Sequence, residues 1–485
     1  MQQAAETEAQ QQRWAGAELL VCAAIQLLLV NVAFRIDRMR EAPLLSTSSW
    51  AIFCGILSGG LLALVSEEVR CHCLDPQILF LGLLPPIMLE AGFNTQRKGF
   101  FSNFYTILLL AIAGTLLATF ATGGILLWLG MATLLVFKKC KAPSLLFNLV
   151  FGESVLNDAV AIVIFQLFQK FVESGNSDVN VEVALFMLFR LVSIGVGSVA
   201  LAGAICFSSA YFLRHSDPAL RQHPIYEMSI ILLSCYASYL AADLFELSGL
   251  LAVFFSGVFI RHYHMYNISK SSAFAFKQLL STMAFLAENF IYLYLGLSVF
   301  AYRDSLVWDW GFIFANFGAC ILARAFNTFP LCSLANIGRS EQQKVPFKYQ
   351  IVIWFSGLRG AIAFALVLNV TTSNPIHAAI LKSSTLFLVL FTTVFFGMAT
   401  GPMLRILGLT GDPQIEQESA TSKNNDTGQA DESHPLLRGY MSPPGSQSVH
   451  SKWVDFDEKY LKPVFGGKPR LRDTEVDDER QTPNA

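Results

Sequence analysis

The chain has 485 residues, 53% of them hydrophobic and 14% charged, with a mean hydropathy of +0.48. A soluble globular chain is nearer a quarter charged, so this balance excludes an ordinary soluble domain. The formal net charge is −2 and no basic patch accompanies it, so nothing points to nucleic acid as a partner.

The apolar residues fall in runs of about 17–30, the length a helix needs to cross ~30 Å of hydrocarbon. The pattern predicts an all-α polytopic membrane protein. An N-terminal segment (1–16) precedes twelve candidate spans, at about 17–34, 50–66, 78–93, 104–130, 143–168, 182–213, 225–246, 248–261, 280–300, 308–334, 349–370 and 379–408. RIDRMR follows the first span and no small-residue cleavage site does, so it reads as an uncleaved span rather than a signal peptide. The run at 182–213 is long and the run at 248–261 short, which tilt or merging accommodates. Pro85-Pro86 predicts a kink in the third span. After about Gly411 polar and acidic residues dominate and apolar periodicity stops. Residues 17–410 are expected to form the membrane domain, and 411–485 a cytosolic, largely disordered tail.

The nine cysteines lie mostly inside apolar runs, as Cys22, Cys54, Cys206, Cys235, Cys320 and Cys332 do, and read as small core residues. Cys71-His72-Cys73 has no matching second pair, so no metal site is expected.

Lysine and arginine in short loops orient the spans. Forward from RIDRMR, the loop NTQRKGF falls inside, and KKCK (Lys138–Lys141) then falls outside, the wrong side for three lysines. Backward from a cytosolic tail, the loops at Arg339–Lys344, Arg261–Lys270 and Leu213–His223 fall inside, and so does KKCK. The two halves disagree between about Trp128 and Lys138. One span is missing there by this count, or one has been miscounted.

Ionisable residues inside spans are costly and mark function by default. They are Glu153 and Asp158 in one span, Asp243 and Glu246 ending another, then Glu288, Arg324 and Arg359. Glu153 and Asn157, four apart, share a helix face. Asn157 beside Asp158 offers amide and carboxylate oxygens suited to a hard cation. A carboxylate shielded from water also holds a proton nearer neutral pH. One site that takes H⁺ or Na⁺, but not both, is the minimum chemistry of an antiporter. Glu153 reads better as half of a structural ion pair, and Glu246 as an interfacial residue. In GLRG (Gly357–Gly360) two glycines flank an arginine, which fits a helix broken around a cavity; a snorkelling arginine is the alternative.

FGESVLNDAVAIV, LLPPIMLEAGF, LSGLLAVFFSGV, FLAENFIYLYLGL and FSGLRGAIAFAL, in this order, resemble the markers of the eukaryotic sodium/proton exchangers of the cation/proton antiporter superfamily. The resemblance covers roughly residues 18–410. AENFIYLYLGL, LRGAIAFAL and the tail segment FDEKYLKP (Phe456–Pro463) are similar to the organellar subgroup of endosomes and the trans-Golgi network. ESHPLL adds an acidic dileucine pattern, with Glu432, Leu436 and Leu437 as expected contacts of sorting adaptors.

The resemblance implies a homodimer of inverted-repeat fold in the lipid bilayer, with about thirteen spans and a broken-helix ion site. It implies Asp158 as the carrier of cation and proton, Asn157 beside it, electroneutral exchange, and Glu153 paired with Arg324. Glu288, Arg359 and Asp243 match other charged core positions, with Asp243 standing where relatives carry glutamate. Transported ions would be Na⁺, K⁺ and H⁺, and no cofactor is expected. One departure is large. Relatives carry a span with Ala-Thr-Asp-Pro before the Glu-Ser-x-x-Asn-Asp helix, and here a span's worth, about twenty residues, is absent between Gly130 and Ala132. That is where the charge count fails. The expectation is a Na⁺(K⁺)/H⁺ antiporter regulating luminal pH and cation content in an endosomal or trans-Golgi membrane, with the plasma membrane as the alternative site. The competing reading is a non-transporting variant lacking one core helix. An intramembrane enzyme would need a motif such as HExxH or GxSxG, and neither occurs. A channel is the remaining alternative.

Overall fold

The structure, a computed structural model, describes residues 22–36, 46–65, 79–95, 107–115 and scattered positions to 125, then 181–302, 306–337, 344–355, 361–368, 375–407 and 456–466. Every described element is helical. Among the described residues five helices are long and apolar enough to cross a membrane by length and composition, and two shorter apolar helices accompany them. The candidate span at 143–168 and the expected gap near Gly130–Ala132 lie outside the described residues.

The described residues belong to two compact units. One draws on Met1–Ile87, Gln96–Leu191 and Met283–Ser446, the other on Met88–Thr95, Val192–Thr282 and Gln447–Ala485.

In the first unit lie α1 (Cys22–Ile36) and α2 (Thr47–Val65). Alpha α3 (Leu84–Asn94) follows a π turn at Leu79–Leu83, and its residues from Met88 on belong to the second unit. Helix α4 (Val181–His215) leads into the second unit, where α5 (Pro224–Leu244) and α6 (Gly249–His262) follow. Helix α7 (Lys270–Ala301) starts in that unit and ends in the first. Then come α8 (Trp310–Asn336), α9 (Phe347–Phe355), α10 (Ala361–Leu368), α11 (Pro375–Phe391) and α12 (Gly397–Ile406), with a π turn at Thr392–Phe396 joining the last two. Helices α9 and α10 fall within and beside the span expected at 349–370, and residues 356–360 between them, with the expected break at GLRG, lie outside the described residues.

Lipid offers helices no hydrophobic reason to associate, so close backbone packing must hold them. Glycine supplies it in both units. A Cβ on Gly55 of α2 would strike Leu293 of α7, and one on Gly296 would strike Ile52. In the second unit a Cβ on Gly92 of α3 would strike Phe254, and one on Gly257 of α6 would meet the Leu89 carbonyl at 2.5 Å. The first unit's core gathers Ile52, Leu295, Phe312, Phe364, Leu386 and Val389.

Chain reversals are capped where the sequence allows. Asp309 accepts from the Phe312 N–H at 3.1 Å and starts α8. Ser248 caps α6, and its own N–H donates to Ser198 Oγ of α4 at 2.9 Å. Between α5 and α6 the turn takes Glu246 to φ 54°, a left-handed conformation that disfavours a side chain. Glu227 is buried and accepts from the Ser269 N–H (3.2 Å) and hydroxyl (3.0 Å), which holds the start of α7. That explains why α7 begins ten residues before the expected 280. Arg261, in the last turn of α6, donates to the Phe93 carbonyl at 3.0 Å, a cation at the C-terminus of α3.

The tail is not wholly without structure. A π turn at Asp457–Leu461 runs into α13 (Lys462–Phe465) and packs within the second unit. Composition predicted disorder there. Asp457 overrides it locally through its contacts with His262 and Tyr263.

Candidate functional site

Helix α8 buries one stripe along its length: Asn316, Cys320, Arg324, Asn327, Thr328, Leu331 and Ala335 among others. The spacing of three and four puts them on one face. Four of these are polar or charged, which is unusual for a buried face in a membrane span. On insertion scales an arginine at the centre of a membrane helix costs about 2.5–3.5 kcal/mol, so its partners matter.

Arg324 is 4% exposed, and its Nη2 donates to the Ile353 carbonyl at 3.1 Å. Ile353 and Trp354 lie in one turn of α9. Trp354 ties the same turn to α8 by donating Nε1–H to the Ile321 carbonyl at 3.2 Å. About two turns before Arg324, Asn316 donates to Ser384 Oγ of α11 at 2.9 Å. Asn327 faces the point where Gly114 comes closest: a Cβ on Gly114 would lie 2.5 Å from Asn327 Oδ1. Asn327 Oδ1 and Thr328 Oγ1 are buried with no hydrogen-bond partner among the described residues. The stripe therefore joins α8 to α9 and α11 through polar atoms and presents unfilled oxygen acceptors beside a guanidinium. The guanidinium suits a carboxylate neighbour, and the oxygen acceptors suit a donor or a cation. Among the described residues no cluster of three His, Cys, Asp or Glu is placed to hold a metal.

A family model described as "Sodium/hydrogen exchanger, transmembrane" matches residues 25–406. The chain belongs to the sodium/hydrogen exchanger family. It is similar to sodium/hydrogen exchanger 1 of Arabidopsis thaliana, with 32% identity over 495 aligned positions covering 89% of each chain. It is also similar to sodium/hydrogen exchanger 9 of Mus musculus, at 34% over 427 positions, 81% of this chain and 64% of that one. Among solved structures it resembles the sodium proton antiporter MjNhaP1 of Methanocaldococcus jannaschii, with TM-score 0.55, 15% identity, and 81% of this chain and 99% of that one covered. The fold is that of a cation/proton antiporter, and the protein is a membrane exchanger, not an enzyme.

Of the exchanger residues expected to work, Asp158, Asn157, Glu153 and Arg359 lie outside the described residues. So does the expected Glu153–Arg324 pair. Arg324 is buried. Among the described residues Asp243 and Glu288 are exposed. Asp243 is in the last turn of α5, at the chain reversal, where a carboxylate reaches the boundary rather than the interior. On α7 it is the next residue, Asn289, that turns inward, 3% exposed and donating to the Phe285 carbonyl at 3.0 Å. Glu246 is exposed in its turn, at the interfacial position expected.

Sequence reasoning singled out Arg324 on α8 and missed Asn316, Asn327 and Thr328. Their spacing from Arg324 was the available signal. Ser384 and Gly114 carried none, because their roles depend on helices distant in the chain.

Proposed function

We propose that this exchanger carries Na⁺ or K⁺ against H⁺ at an Asn157–Asp158 site, one for one. Asp158 takes the cation and the proton in turn, and Asn157 supplies neutral oxygen. The observation that carries the reading is family membership across residues 25–406, joined to a buried cation, Arg324, set among polar acceptors on α8. Arg324 supports the site by pairing with Glu153, with Arg359, Glu288 and Asp243 as further charges. The protein works as a homodimer in an endosomal or trans-Golgi membrane and moderates luminal acidification, with its C-terminal tail in the cytosol. Support for the compartment is the likeness of AENFIYLYLGL and FDEKYLKP to the organellar subgroup, with sorting adaptors reading Glu432, Leu436 and Leu437. Residues 17–410 form the transporting domain and 411–485 a regulatory tail. The test is cation-driven proton flux in vesicles. Asp158→Asn abolishes it, and flux that survives the change rejects the site.

A second reading rests on the loop charges, which lose parity between about Trp128 and Lys138, where the resemblance also implies that one span's length of sequence is absent. On that reading the chain as written does not exchange. Resequencing the transcript across Gly130–Lys138 and restoring the span from a relative separates the two: exchange that appears only on restoration favours the second.

A further inference from the structure

The tail helix, residues 456–465, has two sides. One is pinned to the second unit. Asp457, 4% exposed, accepts from Tyr263 OH at 2.6 Å and pairs with His262 Nε2 at 2.7 Å. Burial pushes the Asp457 carboxyl up. Hydrogen bonds from His262 and Tyr263, with the charges of His262 and Lys462, more than offset this and hold it below its ordinary range. Arg214 of α4 donates to the Lys462 carbonyl at 2.8 Å. Asn267 donates to the Phe465 carbonyl at 2.8 Å, and the Phe465 ring stacks on Phe207 with centroids 4.9 Å apart. Gly466, at φ 89°, closes the segment against Asn267, where a Cβ has no room.

The other side carries Phe456, Tyr460 and Val464, which are 46%, 54% and 42% exposed. They recur every four residues and so share a face. Lys459 lies over the Tyr460 ring at 5.3 Å. The anchoring residues fix the depth of this face. Arg214 is in the last turn of α4 and His262 ends α6. Helix α4, about 50 Å long at 1.5 Å per residue, overruns ~30 Å of hydrocarbon, so its end reaches headgroup level. Tyr211 and Phe212 near that end are themselves exposed, as residues facing lipid would be.

We propose that the tail helix is an interfacial anchor that lays Phe456, Tyr460 and Val464 into the bilayer surface beside the ends of α4 and α6. Arg214 holds the segment at the end of α4, where Tyr211 and Phe212 are exposed as well. Between Phe456 and Arg472 the sequence carries five lysines and arginines against two carboxylates, one of which, Asp457, is already paired. An anionic leaflet is the electrostatic complement. The assignment is independent of which ions the protein carries.

The test replaces Tyr460, and in a second protein Val464, by a fluorescent amino acid in the full chain. Each is reconstituted in phosphatidylcholine vesicles with or without phosphatidylserine. Nitroxide-bearing lipid should quench both probes more than aqueous acrylamide does, phosphatidylserine should strengthen the lipid quenching, and Lys459→Glu should remove that strengthening. Quenching by acrylamide with no response to lipid would overturn the proposal, since the face would then be in water. Shielding from both quenchers would overturn it in favour of a protein covering the face.

Discussion

Helix α6 is buried on nearly every side and α8 along one stripe, and the two pack by opposite means. From Leu250 to Val258 every residue of α6 is buried and one is polar, Ser256, whose hydroxyl turns back to the Ala252 carbonyl at 2.9 Å. It packs by backbone proximity at Gly257. Helix α8 buries Asn316, Arg324, Asn327 and Thr328 and packs through polar atoms on α9 and α11. A membrane rewards the first solution and penalises the second. The difference teaches where to look for function: the polar face, kept despite its cost, is the one to test.

The strongest test of the comparison is Gly257→Leu. The side chain would meet Leu89 and Phe93 backbone atoms, so the expected loss is above about 4 kcal/mol, read as loss of folded protein on size exclusion. Ser256→Ala beside it should be nearly silent. Just past α6, His264 tests how a buried polar group behaves outside the spans. Its Nε2 meets Ser209 Oγ at 2.7 Å, and burial pushes its pKa down to about 3. Folded His264 stays neutral while the unfolded imidazole takes a proton below about 6.5. Stability is therefore full above that pH and falls as pH drops toward the folded value. From pH 7 to 5 the expected loss is about 2 kcal/mol, read as a lower melting temperature that His264→Gln reduces. On α8, Arg324→Met should leave folded protein and slow exchange about tenfold or more, about 1.4 kcal/mol in the barrier. Equal slowing by Ser256→Ala would break the contrast. The smallest effect is Asn316→Leu, about 1 kcal/mol, and a double cycle with Ser384→Ala should be non-additive.

Much of the scaffold could be read in advance because apolar run length reports spanning directly. The run at 225–246 became Pro224–Leu244 and that at 248–261 became Gly249–His262. Arg324 was legible because a charge inside an apolar run needs a partner. What was not legible depends on distant chain. Asn316 meets Ser384 across 68 residues, and Glu227 reaches Ser269 across 42. The burial of Asn289, 3% exposed, gave no sign of itself either, since Glu288 beside it drew the reading of that span. The tail reads as disordered by composition, and its short helix exists because Asn267, His262 and Tyr263 complete it.

The most direct measurement is proton flux driven by a Na⁺ or K⁺ gradient in vesicles holding either the wild-type chain or Asp158→Asn. Saturable, cation-dependent flux in the first and none in the second is the predicted result. Equal flux from both would contradict the Asn157–Asp158 site, and no flux from either would contradict exchange by this chain.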